Sequence, residues 1–379
     1  MSEKELNKDT LLRNFFERED LRDLSLEECE GVLNLLVQGI HGLDEKTMEA
    51  VQARLDSLTK PQGSLGVLET IAKQIGGIQG NPWPEVDKKA VLVMAGDHGV
   101  VAEGVSAYPQ EVTAQMFYNF LSGGAGINVL SRHANAEVIC TDVGIAVPLD
   151  PPELMRYRIM NGTRNMAKEP AMTRHEALLS LLTGAKIAQQ AIDNGVKVLA
   201  TGEVGIGNTT PSAAIISLFT GLSAKEVTGR GTGLNDAGLL NKQEVITRSI
   251  AVNQPDVNDG VDVLRKIGGL EIGALAGAIL QAAYSRVPIL LDGVISTAAA
   301  LIAVQICPTA RNFLIPSHSS VEIGHKAALK HLGLKPMMDL DFRLGEGTGA
   351  AIGFHLVEAA IRILKEMATF ESAGVSGKK

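Results

Sequence analysis

Short apolar runs that alternate with longer helical patterns restrict the fold of this 379-residue chain more than any other feature. Each run has the length of a buried strand, and the patterns at 175–194, 271–284 and 296–306 are long enough for helices that cover a sheet. Because strands joined through helices lie parallel, the alternation predicts an α/β fold with a doubly wound, mostly parallel sheet. The predicted strands are Ala90–Ala95, Val138–Val143, Val196–Ala200, Pro288–Asp292 and Asn312–Pro316.

The first 80 or so residues have a different composition, rich in charge and in helix-forming residues. Their apolar positions, such as Leu11, Leu12, Phe15 and Phe16, recur at helical spacing. The segment Asn81-Pro-Trp-Pro-Glu85 then interrupts helical structure twice. We therefore expect a helical segment that ends at about residue 85, before the first buried strand.

Composition excludes several functional classes. A net charge of −8 and an aromatic content of 4% disfavour nucleic-acid binding. The N-terminus lacks the apolar stretch of an export signal, and the apolar run 298–304 is too short to cross a bilayer, so we expect a cytoplasmic protein without membrane contact. Three scattered cysteines without Cys-x-x-Cys spacing, at positions 29, 140 and 307, indicate reduced packing residues, neither a disulfide framework nor a zinc site.

The stretch Thr201–Ala214 reads as a strand-loop-helix junction with glycines at 202, 205 and 207. We expect Thr209 or Thr210 to cap the following helix and Pro211 to occupy its first turn. A loop of this kind binds anions, most often phosphate. Glu203 does not suit a plain phosphate site, because its carboxylate would repel the anion, and it is therefore the first candidate for chemistry.

A second Gly-Glu junction, Gly345-Glu346-Gly347, precedes an apolar helical pattern and is expected to follow a strand. One acid before a helix is most often a partner of the helix dipole, but Glu203 and Glu346 in matching contexts favour paired action on one ligand. For Asp97-His98, loop architecture is favoured over a metal pair. For Ser317–Ser320, hydroxyls that bind phosphate or cap a helix at 321–331 are favoured over a nucleophile. Gly229–Gly233 lacks the glycine spacing and the preceding strand of a dinucleotide-binding fingerprint.

Asp292 follows the strand Pro288–Asp292 in the sequence Leu-Leu-Asp-Gly. Phosphoribosyltransferases with a pyrophosphorylated donor place two adjacent acids after such a strand, and here the second position is Gly293. One acid is a poor clamp for ribose hydroxyls and magnesium. A magnesium-pyrophosphate donor is therefore disfavoured.

With these residues in view, the chain resembles the nicotinate-nucleotide:dimethylbenzimidazole phosphoribosyltransferase family, which makes the nucleotide loop of cobalamin. The resemblance covers nearly all of residues 45–368, and the first forty or so residues lie outside it. It rests on five ordered motifs: Lys60–Gly66, Gly96–Val100, Gly202–Thr210, Leu291–Gly293 and Arg343–Gly347.

The resemblance implies transfer of phosphoribose from nicotinate mononucleotide to 5,6-dimethylbenzimidazole, which gives α-ribazole 5'-phosphate and nicotinate with inversion at the sugar carbon. It implies no metal or cofactor, because the leaving nicotinate already carries a positive ring nitrogen. It also implies a homodimer and a smaller helical domain built from both chain ends. We expect residues 1–85 and 351–379 to form that domain, around an α/β core at 86–350 that contains the active site.

Site roles follow from the same resemblance. Glu346 would be the general base that removes the proton of the attacking benzimidazole, and Glu203 would either face the sugar or assist without touching the substrate. The acceptor pocket would include Tyr108, Met116 and Leu344, of which Tyr108 and Met116 depart from some relatives and leave the preferred base open. The donor phosphate would be bound by Gly205, Gly207, Asn208, Thr209, Gly231, Lys242 and Ser320.

Two other functions remain open from the residues. One is a transferase that uses a pyrophosphorylated ribose and strictly requires magnesium. The other is a non-catalytic nucleotide-binding protein, which the presence of both Glu203 and Glu346 disfavours.

Overall fold

The structure is a computed structural model that describes residues 3–231 and 233–376. Its α-helices are α1 (Glu3–Glu17), α2 (Leu26–Gly39), α3 (Glu45–Ser57), α4 (Val67–Gln79), α5 (Val112–Leu121), α6 (Gly126–His133), α7 (Arg174–Asp193), α8 (Thr209–Thr220), α9 (Ala224–Val227), α10 (Asp236–Asn253), α11 (Gly260–Ile267), α12 (Leu270–Tyr284), α13 (Val294–Ile306), α14 (Ile323–Leu332) and α15 (Thr348–Glu366). Its strands are β1 (Lys89–Gly96), β2 (Ala136–Gly144), β3 (Val198–Val204), β4 (Ile289–Leu291), β5 (Leu314–Pro316), β6 (His318–Ser319) and β7 (Met338–Asp339).

Five strands form one parallel sheet in the order β2-β1-β3-β4-β5, and β6 and β7 form a small parallel pair beside it. The prediction of an α/β fold with a parallel sheet is confirmed. The third strand is longer than expected, because the long partner β1 continues the ladder through Thr201, Gly202 and Glu203. Glu203 therefore belongs to the end of a strand and not to the loop. The fifth strand is shorter than expected, because Pro308–Phe313 forms a 3-10 helix.

Alternate residues of the sheet face two different apolar layers. From β1, Leu92 and Met94 pack into a layer with α7, α12 and α13, whereas Val91 and Val93 pack into a layer with α3, α4 and α15. Side chains alternate across a strand, so both faces of this sheet are apolar and both are covered.

The two chain ends cover opposite faces of the sheet. Helix α2 packs on α7 and α12, and the buried ammonium of Lys186 on α7 donates to the carbonyls of Phe16 and Arg18 at the end of α1. Helices α3 and α4 pack with α15 on the other face, where Leu58 pairs with Thr369. The division into domains at residues 85 and 350 remains a prediction.

Helices α7 and α12 approach each other at backbone distance. A Cβ atom on Gly184 would lie 1.7 Å from the carbonyl oxygen of Ala274, and one on Gly277 would lie 1.7 Å from that of Leu181. Only glycine permits this separation, so the two helices are held close beneath the sheet.

Cys29, Cys140 and Cys307 are free thiols. Within residues 3–231 and 233–376, no helix is both long and apolar enough to cross a bilayer.

The strand order creates a crevice at the carboxyl ends of β1 and β3. The chain leaves β1 towards β2 on one side and returns to β3 on the other, and in open α/β sheets ligands bind at such a point. The backbone around Gly205 lies directly against Gly96, since a Cβ atom there would be 2.2 Å from the Gly96 oxygen.

Candidate active site

A cavity of about 310 Å³ opens at the carboxyl ends of the strands. All of the residues that the sequence assigns to the site line it, except Gly207 and Lys242. The lining residues among the candidates are Tyr108, Met116, Glu203, Gly205, Asn208, Thr209, Gly231, Ser320, Leu344 and Glu346.

Glu203 lies at the end of β3 and is 6% exposed. Its Oε2 atom accepts a hydrogen bond from the Nδ2 group of Asn208, and its carboxylate also accepts one from the backbone N–H of Glu346. Burial raises the pKa of the Glu203 carboxyl to about 8, and the negative charges of Asp292 and Glu271 act in the same direction. Glu203 is therefore largely protonated at neutral pH. Its hydrogen bonds with Asn208 and Glu346 join the loop after β3 to the loop before α15.

Glu346 projects into the cavity from the loop before α15, with φ of +64° between two glycines that also have positive φ. No strand directly precedes it, so the expected strand before the second Gly-Glu junction is wrong: residues 340–345 are irregular, and β7 ends at Asp339. Its Oε2 atom accepts the N–H of Ile127, 3.0 Å away, in the first turn of α6. One carboxylate oxygen is thus held by the protein.

The environment of Glu346 makes it a stronger base than an ordinary glutamate. Burial raises the pKa of its carboxyl and the charge of Asp292 raises it further, whereas the hydrogen bond from Ile127 lowers it. The net direction is upward. A buried carboxylate of raised pKa that lines a cavity is suited to accept a proton from a bound ligand.

A buried carboxylate at the end of β4 connects the sheet to α15. Asp292 is 2% exposed and accepts N–H groups from Gly347, Gly349 and Ala350 at 3.2, 2.8 and 3.2 Å. Burial raises the pKa of this carboxyl to about 7, against the effect of these hydrogen bonds. From the sequence, Asp292 is considered only as a clamp for ribose, and its contact with α15 is not predicted, although its place one residue before a glycine at a strand end is visible there.

The opposite end of the cavity is formed by the start of α8. Lys242 on α10 is buried, and its Nζ donates to Thr209 Oγ1 over 2.5 Å. Burial lowers the pKa of this ammonium to about 8, although Glu322 raises it. A Cβ atom on Gly231 would lie 3.2 Å from this Nζ. The ammonium and the helix N-terminus together suit an anion such as phosphate.

The expected capping of α8 is wrong. Asn208 occupies the N-cap position without a side-chain cap bond, and Thr209 and Thr210 are the first helical residues. Thr209 contacts Lys242 with its hydroxyl, and the Asn208 amide contacts Glu203. Pro211 lies in the first turn as predicted. Gly207, with φ of +88°, turns against Val101 behind the cavity wall.

The Ser317–Ser320 segment forms the wall next to β4. Ser320 Oγ donates to the carbonyl of Phe342 and accepts the N–H of Glu322, so it joins two loops and does not cap α14, which begins at Ile323. His318 also lines the cavity, although it is not among the site residues predicted from the sequence. Burial lowers the pKa of this imidazole, whose Nδ1 is 3.1 Å from Ser317 Oγ.

Tyr108, Met116 and Leu344 form the more apolar end of the cavity. Tyr108 is 53% exposed and Leu344 is 62% exposed, so this end is open. A larger hollow of about 710 Å³ lies beside it and shares Arg343 and Leu344. The arrangement offers a flat ligand an apolar slot next to Glu346.

Two of the five motifs lie outside the cavity wall. Lys60 at the start of Lys60–Gly66 forms a buried ion pair with Glu69, with 2.8 Å between Nζ and Oε1. Asp97 accepts the N–H of Ala146 at 2.8 Å, which agrees with loop architecture. His98 is buried, and its Nε2 lies 2.7 Å from Glu271 Oε1.

Comparison with known proteins agrees with this geometry. A family model described as phosphoribosyltransferase matches residues 40–375. The chain is 54% identical over 339 residues to the nicotinate-nucleotide–dimethylbenzimidazole phosphoribosyltransferase of Desulforamulus reducens, which covers 89% of this chain and 97% of the relative. It is 53% identical over 348 residues to the enzyme of the same name from a Roseiflexus species, covering 92% of this chain and 99% of the relative.

A solved structure supports the same relationship. The crystal structure of CobT from Thermus thermophilus matches with a TM-score of 0.84 and 45% sequence identity. The match covers 88% of this chain and 100% of that chain.

Proposed function

Since the chain belongs to this family of phosphoribosyltransferases, we propose that it transfers phosphoribose from nicotinate mononucleotide to 5,6-dimethylbenzimidazole or a related base. The products would be α-ribazole 5'-phosphate, for the lower ligand of cobalamin, and nicotinate. The observation that carries this assignment is the Glu346 carboxylate, which lies in the cavity with one oxygen held by Ile127 and with a raised pKa.

The donor phosphate would lie at the end of the cavity formed by Thr209, Gly231 and Lys242. Backbone N–H groups at the start of α8 favour an anion, and the Lys242 ammonium supplies the matching charge. Gly205, Asn208 and Ser320 complete this wall. The ribose would then extend towards Glu203, whose largely protonated carboxyl does not repel the phosphate attached to the sugar.

The chemical step needs a base more than an acid. The lone pair of the unprotonated acceptor nitrogen attacks the anomeric carbon, and the bond to nicotinate breaks with its electron pair returning to the pyridinium nitrogen. The other ring nitrogen of the acceptor, now acidified, loses its proton to Glu346. Attack from the face opposite the leaving group inverts the anomeric carbon and gives the α product.

The acceptor would occupy the slot between Tyr108, Met116 and Leu344. Methionine adapts its shape to different flat ligands, and an open slot tolerates substituents on the ring. These features support a benzimidazole-type acceptor without restricting it to one member of the class.

The test is to incubate the purified protein with nicotinate mononucleotide and a set of benzimidazoles, with a metal chelator present, and to follow nicotinate release. We expect release only when an acceptor is present, with a ribosylated base as the second product. Activity that strictly requires magnesium and a pyrophosphorylated ribose would indicate the other transferase. Tight binding of the nucleotide without release would indicate a binding protein.

We also propose that the protein acts as a cytoplasmic homodimer. Free buried thiols at Cys29 and Cys307 suit a reducing compartment. Exposed apolar side chains, Val129 at 51% and Leu344 at 62%, border the larger hollow and support an association face. Light scattering after gel filtration, for the protein and a Val129→Glu variant, tests the dimer.

A further inference from the structure

Asp292 is a buried acid without a cationic partner. The basic group nearest to it in the described part of the chain is His318, whose Nδ1 lies 3.9 Å from Asp292 Oδ1. Burial lowers the pKa of His318, so this imidazole is neutral at pH 7. A buried carboxylate without a cation destabilises the folded protein, because the hydration it loses is only partly replaced by hydrogen bonds. Such a residue is a candidate for a functional role.

The hydrogen bonds of Asp292 hold the loop that carries Glu346. Its Oδ2 accepts the N–H of Gly347, the residue directly after Glu346, and its Oδ1 accepts the N–H groups of Gly349 and Ala350 in the first turn of α15. The N–H of Glu346 itself donates to Glu203. Two acidic side chains from neighbouring strands therefore fix the backbone on both sides of the base.

This anchoring matters because the loop conformation is unfavourable. Gly345, Glu346 and Gly347 have φ of +82°, +64° and +94°, and a glutamate at positive φ persists only when its surroundings impose it. Asp292 joins the loop to β4 and so supplies part of that constraint. Without it, the Glu346 carboxylate would lose its fixed distance to a ligand in the cavity.

The charge of Asp292 acts on Glu346 as well. Both carboxyls are buried and poorly solvated, so the ionised form of Asp292 disfavours the ionised form of Glu346 and favours its proton uptake. The other titratable or charged groups that line the cavity wall are Tyr108, Glu203 on β3, His318 on β6, Glu322 and Arg343, and Glu271 on α12 acts on Glu203. Three of these six groups are carboxylic acids, and none of the six forms an ion pair with Glu346.

We propose that Asp292 is a positioning residue for phosphoribosyl transfer: its carboxyl group fixes the Glu346 loop through three backbone hydrogen bonds, and its ionised form helps Glu346 to accept the acceptor's proton. This inference rests on the proposed function, in which Glu346 is the base. Asp292 does not line the cavity, so it would touch neither the proton nor the sugar.

The first test is the pH profile of kcat/KM for Asp292→Asn. Asp292 and Glu346 titrate as a coupled pair, so removing the charge of Asp292 should make Glu346 a weaker base and move the acidic limb to lower pH. Loss of the Gly347 contact should lower kcat by about 10–100-fold, with a smaller effect on the KM of the donor. A purely structural role would lower activity at all pH values without moving the limb, and that result would overturn the proposal.

Asp142→Asn is the matched control. Asp142 is a second buried acid in the sheet, on β2, where it accepts N–H groups of Gly144 and Ile145 and pairs with Arg158 at 2.7 Å. Its substitution should reduce stability and leave the acidic limb where it is. A limb shift of equal size in Asp142→Asn would show that the displacement is not specific to Asp292, and the proposal would fail.

A second measurement needs no activity and no Asp292 variant. Coupling between two titrating groups is reciprocal, so Glu346→Gln must lower the pH at which the ¹³C-labelled Asp292 carboxyl titrates in the ligand-free protein. An unchanged Asp292 titration would overturn the proposal even if Asp292→Asn fails to fold. If instead the wild-type protein releases no nicotinate, the proposed function fails while this titration still reports on the Asp292–Glu346 pair.

Discussion

Replacement of Glu346 by glutamine gives the sharpest test of the chemistry. The side chain of glutamine has nearly the same shape, and its amide oxygen can still accept the N–H of Ile127 at the 3.0 Å distance of the wild type. Its amide nitrogen then faces the cavity, where it meets the acceptor's N–H as a second donor. The site therefore keeps its form and loses its ability to take up a proton.

A positioned base contributes about 10²–10⁴ in rate, so we expect kcat to fall by that factor. This corresponds to about 2.7–5.5 kcal/mol of activation free energy. Donor affinity should change little, because the phosphate end of the cavity at Lys242 is untouched. The acidic limb of the wild-type pH profile should lie above the ordinary range of a glutamate, because burial and the charge of Asp292 raise the pKa of Glu346, and the limb should flatten in the variant.

The assay is rapid-quench measurement of nicotinate release in a single turnover, where chemistry and not product release sets the rate. Glu203→Gln serves as the control, since a supporting carboxyl should leave the acidic limb present. A Glu346→Gln enzyme with a near-normal single-turnover rate would refute the reasoning. Glu203 would then be the next candidate for the base.

Three further outcomes are expected. Lys242→Ala should weaken donor binding by about 1.5–3 kcal/mol, whereas the control Lys225→Ala, at an exposed position, should leave it unchanged. In the wild type, donor affinity measured by calorimetry should decline as the pH rises above about 8, because the Lys242 ammonium then loses its proton. Equal donor affinity in both variants would place the phosphate elsewhere. Tyr108→Ala and Met116→Ala should reorder the preference among benzimidazoles in competition assays, and an unchanged ranking would locate the acceptor slot away from these residues. For Glu203, the pKa in the folded protein is about 8 against an ordinary value of 4.5, so the folded state retains a proton that the unfolded chain releases and stability declines as the pH rises from about 4.5 to 8. As the pH rises through this range, the free energy of unfolding of Glu203→Gln should therefore increase relative to that of the wild type, by on the order of 1 kcal/mol or more, as measured by thermal unfolding. A difference in unfolding free energy that is independent of pH would contradict the raised pKa.

The fold could be predicted from the sequence because its signal is local. Each strand of the sheet is a short apolar run, and each helix between them shows its own period, so the alternation was visible without any contact information. The ends of the elements depended on partners far along the chain. β3 extends to Val204 only because β1 continues beside it, and no pattern within residues 196–204 indicates that extension.

The candidate site was predicted in part, and for a similar reason. Glycine spacing and the Gly-Glu repeat identified Glu203 and Glu346, which the structure brings to one cavity. The partners of these groups were not predictable, because Ile127 and Asp292 are separated from Glu346 by long stretches of chain and meet it only after folding. His318 was not predicted, because the segment Ser317–Ser320 was interpreted through the hydroxyl groups of its serines. The assigned roles of the site residues remain predictions.

The close approach of α7 and α12 has a consequence for how inactive variants should be interpreted. The contact at Gly184 tolerates no additional carbon atom, and α12 carries Glu271, which pairs with His98 beneath the loop around Gly205. An alanine at position 184 would push α12 outward and pull Glu271 away from its partner. In a genetic screen, such a substitution would register as a loss of enzyme activity although it lies in the packed interior and meets no ligand. Inactivity alone would therefore be a poor guide to which residues of this protein bind a substrate.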